Sequence, residues 1–111
     1  TNEALMALAN AVYMTVMDKN GLQSVAESSS RNAQYTLGKL VEAGAKQVYS
    51  GRFFAEFVVE LPVPAAEVRD ALLERGILAG LPLGQYYGGR ENQLLVAVTE
   101  IRTKEEIDRF A

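Results

Sequence analysis

The sequence predicts an α+β domain in which a small, mostly antiparallel sheet is covered by helices on one side. Three observations carry this expectation: helical spacing of apolar residues through the first 42 positions, strict alternation in "FFAEFVVEL" from Phe53, and the uninterrupted run "LLVAV" from Leu94. A helix-rich first part followed by short strands mixed with helices suits a two-layer arrangement of helices on a sheet. At 111 residues the chain has the size of one domain, so residues 1–111 are read as a single unit.

Between residues 3 and 17, Leu5, Leu8, Ala9, Val12, Tyr13 and Val16 recur at steps of three and four, which places them on one helical stripe. Asn20 and Gly21 are expected to stop this helix. A second, over residues 22–42, would bury Leu22, Val25, Ala26, Ser29, Ala33, Leu37, Leu40 and Val41, with Gly44 as its C-terminal signal. Ser28, Ser29 and Ser30 weaken the middle of that helix; they read as a tolerated polar patch, or as small residues that let another backbone approach.

Residues 47–49 are read as a short strand, followed by a turn at Ser50, Gly51 and Arg52. In "FFAEFVVEL", Phe53, Ala55, Phe57, Val59 and Leu61 share one face of a strand and the other face is half polar. Pro62 and Pro64 end it, because neither can donate to a sheet ladder. A helix over residues 65–75 would bury Val68, Ala71 and Leu72 and stop at Gly76. Residues 77–79 are read as a very short strand, and Leu94–Val98 as a central strand covered on both faces. "TKEE" at 103–106 has capping-box spacing ahead of Ile107 and Phe110 and opens a last short helix.

Composition excludes several kinds of chemistry. The net charge is -3 with Lys and Arg spread along the chain, which gives no basic stripe for nucleic acid. No apolar run approaches the roughly 20 residues of a membrane span. There is neither Cys nor His, so thiolate and imidazole ligands and the commonest neutral-pH general base are missing, and the scattered carboxylates suggest no metal site. Thr1 in place of Met, with no targeting signature, reads as a cytoplasmic protein cut from something longer.

No Ser lies in a GxSxG elbow, and "GILAGLPLG" lacks the spacing of a phosphate loop. Lys19, Lys39, Lys46 and Lys104 fall near helix ends or turns and suggest solvated side chains rather than a Schiff-base lysine. The most unusual stretch is "RGILAGLPLGQYYGGRENQ" at 75–93, too apolar for a solvent loop and too rich in Gly and Pro for regular structure. Leu81, Pro82, Leu83, Tyr86, Tyr87, Arg90 and Asn92 within it form a mixture common in interfaces and substrate-positioning loops. The other reading is a surface loop with both tyrosines folded back on the core. Thr99, Glu100 and Arg102 are a second candidate group for an anion or interface contact, against a reading as a solvated pair.

The segments "ALLERGILAGLPLGQYY" and "NQLLVAVTEIRTKEEIDRF" resemble the C-terminal part of the first (α) subunit of glycine dehydrogenase (decarboxylating), the P-protein of the glycine cleavage system in its two-subunit form. "FFAEFVVELP" and "GLQSVAESSSRNAQYTLGKL" agree in order and spacing, so the resemblance spans nearly the whole chain. "TKEEID" is widespread among related pyridoxal-phosphate enzymes, whereas the loop from Gly80 to Gly84 selects the subunit. Gly88, Gly89 and Arg90 depart from the Pro- and acid-containing segment of the family. The resemblance implies the small C-terminal domain of a fold-type-I pyridoxal-phosphate enzyme, with the large domain outside this chain and no catalytic, cofactor-binding or metal-binding residue within it. It implies a Schiff-base lysine on the partner β subunit (glycine dehydrogenase subunit 2), with the lipoyl H-protein and the chain's own large domain as further partners. The complete enzyme would decarboxylate glycine and pass the aminomethyl group to the lipoyl arm. The alternatives are the small domain of another such enzyme, an aminotransferase or lyase, and a free-standing α+β ligand-binding or regulatory module.

Overall fold

The computed structural model describes residues 3–111. In order they form α1 (Glu3–Glu42), β1 (Lys46–Gln47), β2 (Glu56–Glu60), α2 (Ala65–Glu74), β3 (Leu81–Pro82), a 3-10 turn (Leu83–Gln85), β4 (Gln93–Ala97) and α3 (Lys104–Phe110). The sheet has the order β1-β2-β4-β3, and every pairing is antiparallel.

Residues 3–42 do carry two helical segments, but the break lies at Asp18 rather than at Asn20 and Gly21. Asp18 takes φ 57° and ψ 179°, a region that only glycine enters freely and that strains other residues by about 1–3 kcal/mol. The polar Asn20 and the small Gly21 are accommodated inside the second segment despite their weak helix propensity. Ser29, Ala33, Thr36, Leu37 and Leu40 of that segment are buried. Leu22, Ala26 and Val41 are exposed, which narrows the buried stripe relative to the expectation. The helix ends in a Schellman arrangement: the Ala45 amide donates to the Leu40 carbonyl and the Gly44 amide to that of Val41.

The first segment behaves differently. Leu5, Leu8, Val12, Tyr13 and Val16, expected to be buried, are all exposed, Leu8 at 62%. They do share one helical stripe, but nothing among the described residues lies against it.

In β2, Phe57 and Val59 face the core while Glu56 and Glu60 face out. They sit opposite Val96 and Leu94 of β4. One face of the sheet is thus sealed beneath Leu37, Leu40, Ala65 and Ile107 in a single core. β4 is not covered on both faces: Leu95 is half-buried and Ala97 exposed, so the helices sit on one side only.

α2 buries Ala65 fully and Val68 and Leu72 partly, whereas Ala71, expected inside, is exposed. Gly76, at φ 75°, ends it with a second Schellman pattern, Ile77 donating to Leu72 and Gly76 to Leu73. No strand forms at 77–79. The third strand is Leu81–Pro82, whose partners are Leu95 and Leu94; as an edge strand it tolerates the missing proline donor. β1 begins one residue earlier than predicted, at Lys46, and ends at Gln47 rather than Tyr49. α3 opens with a complete capping box, Thr103 Oγ1 accepting from the Glu106 amide and the Glu106 side chain accepting from the Thr103 amide.

Candidate functional site

Three groups of polar side chains gather around the ends of β4. The first joins the middle of α1 to the loop between β4 and α3. Ser29 Oγ donates to Glu100 Oε2 at 3.2 Å, and Asn32 Nδ2 donates to the carbonyls of Thr99 at 3.1 Å and Arg102 at 2.9 Å. Buried Ser29, in the middle of the serine run, is therefore one of the points where the loop seats on the helix. Thr99, Glu100 and Arg102 come together as the sequence suggests, but the ionic partner of Arg102 is Glu106, at 3.6 Å, and not its neighbour Glu100. Replacing Asn32 with alanine removes both side-chain hydrogen bonds to the loop and leaves the Thr99 carbonyl with only the longer bond from the Arg102 amide. We expect a loss of about 1–2 kcal/mol in urea unfolding and faster amide exchange at residues 99–102; unchanged exchange there would show that the loop holds itself.

The second group is the 81–93 segment. Pro82 and Leu83 are buried within this chain, while Leu81, Tyr86 and Tyr87 are exposed, Tyr86 at 63%. The tyrosines are not folded back on the core. Arg90 anchors the loop: its Nη1 donates to the Tyr49 hydroxyl at 2.7 Å and to Gln93 Oε1 at 3.1 Å, and its guanidinium lies 5.8 Å from the centre of the Tyr87 ring. The Asn92 carbonyl accepts from the Leu61 amide and that of Glu91 from Ala65, tying the loop to the end of β2 and the start of α2.

The third group ties α1 to α3. Tyr35 donates to Asp108 Oδ1 at 2.6 Å, Lys104 donates to Asp108 Oδ2 at 2.6 Å, and Lys39 and Lys104 both approach the Tyr35 ring. The Lys104 hydrogen bond, and after it that of Tyr35, hold the Asp108 carboxyl below its ordinary 3.8. A carboxyl whose pKa is lower in the folded chain contributes stability above its unfolded pKa, and loses it as pH falls through the folded value. Below about pH 4 the thermal midpoint should therefore drop faster for the unsubstituted chain than for Asp108→Asn. Parallel curves would mean that the cluster contributes nothing.

A pyridoxal-phosphate lysine needs burial or a neighbouring cation to lower its pKa. Lys39 and Lys104 are shifted the other way, raised chiefly by hydrogen bonds to Glu42 and Asp108, and Lys19 and Lys46 are exposed. None of the four lysines therefore has the setting of a Schiff-base lysine. Among the described residues, no three acidic side chains gather closely enough to hold a metal ion, and no helix is long and apolar enough to cross a membrane.

Tyr49 had no signature in the sequence, and the one signal for Asn32 was its place beside Ala33, a position expected to be buried.

The family model described as glycine cleavage system P-protein matches residues 1–111. The chain is 46% identical over 110 residues to the probable glycine dehydrogenase (decarboxylating) subunit 1 of Geobacillus sp. (strain WCH70), which covers 99% of this chain and 25% of that protein. It is 46% identical over 108 residues to the protein of the same description from Anoxybacillus flavithermus (strain DSM 21510 / WK1), covering 97% and 24%. A crystal structure of glycine decarboxylase (P-protein) of the glycine cleavage system, in inhibitor-bound form, superposes with a TM-score of 0.87 at 35% identity over 99% of this chain and 25% of that one. The chain thus spans about a quarter of the length of the relatives it matches. With the family model matching residues 1–111 and the fold agreeing over 99% of the chain, the chain belongs to the P-protein family of the glycine cleavage system.

Proposed function

We propose that this chain is the C-terminal small domain of subunit 1 (α) of a two-subunit, cytoplasmic glycine decarboxylase, and that it supports the large domain and the partner subunit without catalytic residues of its own. The observation that carries this reading is the match over 97–99% of the chain to relatives described as subunit 1. The uncovered apolar stripe of residues 3–17 and the exposed Leu81, Tyr86 and Tyr87 support it, since surfaces of this kind ordinarily meet other protein. In the complete αβ enzyme, pyridoxal phosphate on a lysine of the β subunit would serve as the electron sink for glycine decarboxylation. The aminomethyl group would then pass to the lipoyl arm of the H-protein.

Exchange of the glycine carboxyl with bicarbonate is expected when full-length α and β subunits are combined, and not with α alone. Exchange by α alone would overturn a non-catalytic α subunit. In the full-length α subunit, Leu8→Glu is expected to lower the thermal midpoint by several degrees, because it would bury a charge without a partner. An unchanged midpoint would mean that the stripe stays in water in the full-length α subunit.

A further inference from the structure

Between α1, β4, α3 and the 76–79 segment lies a cavity of about 250 Å3. Val96, Val98, Ile107 and Phe110 give it apolar walls, and Thr36, Arg102 and Glu106 also line it. The Thr36 hydroxyl is engaged by the Asn32 carbonyl at 2.8 Å, which leaves the guanidinium of Arg102 to select the charge of any ligand.

Arg102 is fixed at its backbone and loose at its head. Its carbonyl accepts from Asn32, and its amide donates to Thr99 at 3.3 Å. Its guanidinium, in contrast, stands 3.6 Å from Glu106 Oε1, beyond the roughly 2.7–2.9 Å of a charge-assisted hydrogen bond. Glu106 does not depend on that pair, because its other oxygen, Oε2, is held at 2.9 Å by the Thr103 amide in the capping box. A planar fork of N–H donors over an apolar cavity matches a carboxylate carried on an apolar tail.

We propose that this cavity binds a small aliphatic carboxylate, its carboxylate on Arg102 and its tail between Val96, Val98, Ile107 and Phe110. Enclosed apolar cavities of roughly 150 Å3 take benzene; this cleft of about 250 Å3 is open to solvent on one side and has room for a tail of about six carbons. Glu106 is a competitor of the ligand for the guanidinium and repels it. Removing its charge should therefore tighten binding, while removing the charge of Arg102 should weaken it. A purely structural ion pair predicts no such opposition. The chemistry of the cavity does not depend on what the complete enzyme catalyses.

The test is calorimetric titration of the full-length protein with hexanoate, with 1-hexanol as the uncharged probe of the same tail. Saturable hexanoate binding is expected, with affinity well above that for hexanol. Arg102→Gln should weaken it by about tenfold or more, and Glu106→Gln, which keeps a capping-box residue, should tighten it several-fold. Equal affinity for the two probes, an unchanged affinity in Arg102→Gln, a weaker one in Glu106→Gln, or no saturable binding would each overturn the proposal. Should Arg102→Gln fail to fold, the two probes and Glu106→Gln decide the matter by themselves.

Discussion

Replacing Gly80 with alanine is expected to destabilise the domain by about 3 kcal/mol or more, seen as a lower urea midpoint at an unchanged slope. Gly80 sits at φ 143°, a conformation that side-chain-bearing residues rarely adopt. An added Cβ would also run into the carbonyl oxygen of Leu95, with that residue's carbonyl carbon at 3.2 Å. The obstacle is backbone of β4, so it cannot be relieved by turning a flexible side chain. If β4 shifted, it would take Leu94 and Val96 with it, and these two are at the centre of the core. A loss below about 1 kcal/mol, or a gain such as Gly→Ala gives where the backbone suits alanine, would show that β3 can move away from β4 without disturbing the rest.

The second large effect is expected at Leu94. It is 1% exposed, faces Val59 across β2 and Pro82 across β3, and packs into the single core beneath α1 and α3. Leu94→Ala should lower the unfolding free energy by about 2–5 kcal/mol, the lost transfer energy plus that of the cavity left behind. Leu95, next to it, points to the open face and is only half-buried, so Leu95→Ala should lose clearly less. Equal losses at the two positions would mean that both faces of β4 are covered, which the arrangement of the helices does not provide.

These two residues show what was legible in the sequence. Leu94 stands in an apolar run, and burial could be read from the run alone; which neighbour faced inward could not, because an unbroken run has no alternation to tell the faces apart. In β2 the alternation was present, and Phe57 and Val59 were assigned to the right face. Gly80 looked like one of several glycines in a loop. Its role comes from the close approach of β4, a contact between segments 15 residues apart in number, from Gly80 to Leu95, that no local pattern encodes.

The candidate residues divide in the same way. Thr103 and Glu106 were legible because a capping box is local, its partners three residues apart. The contacts of Thr99, Glu100 and Arg102 with α1 join residues about 70 positions apart, as with Ser29 and Glu100, and Arg90 meets Tyr49 across 41. The grouping of the candidates around the 81–93 segment was visible in composition, but their division into buried Pro82 and Leu83 and exposed Leu81, Tyr86 and Tyr87 was not.

By itself, the sequence determined the α+β class, the position of most elements, the capped start of α3, the Gly76 stop of α2 and the family resemblance, all of which rest on periodicity, local hydrogen bonding or matching motifs. Only the tertiary structure decided where α1 breaks, which short segment becomes β3, which face of β4 is sealed, and that the stripe of residues 3–17 finds no cover among the described residues. The physical reason is the same in each case. Periodicity states that a face is apolar, but burial requires a partner surface, and whether one is present is settled by how distant segments meet.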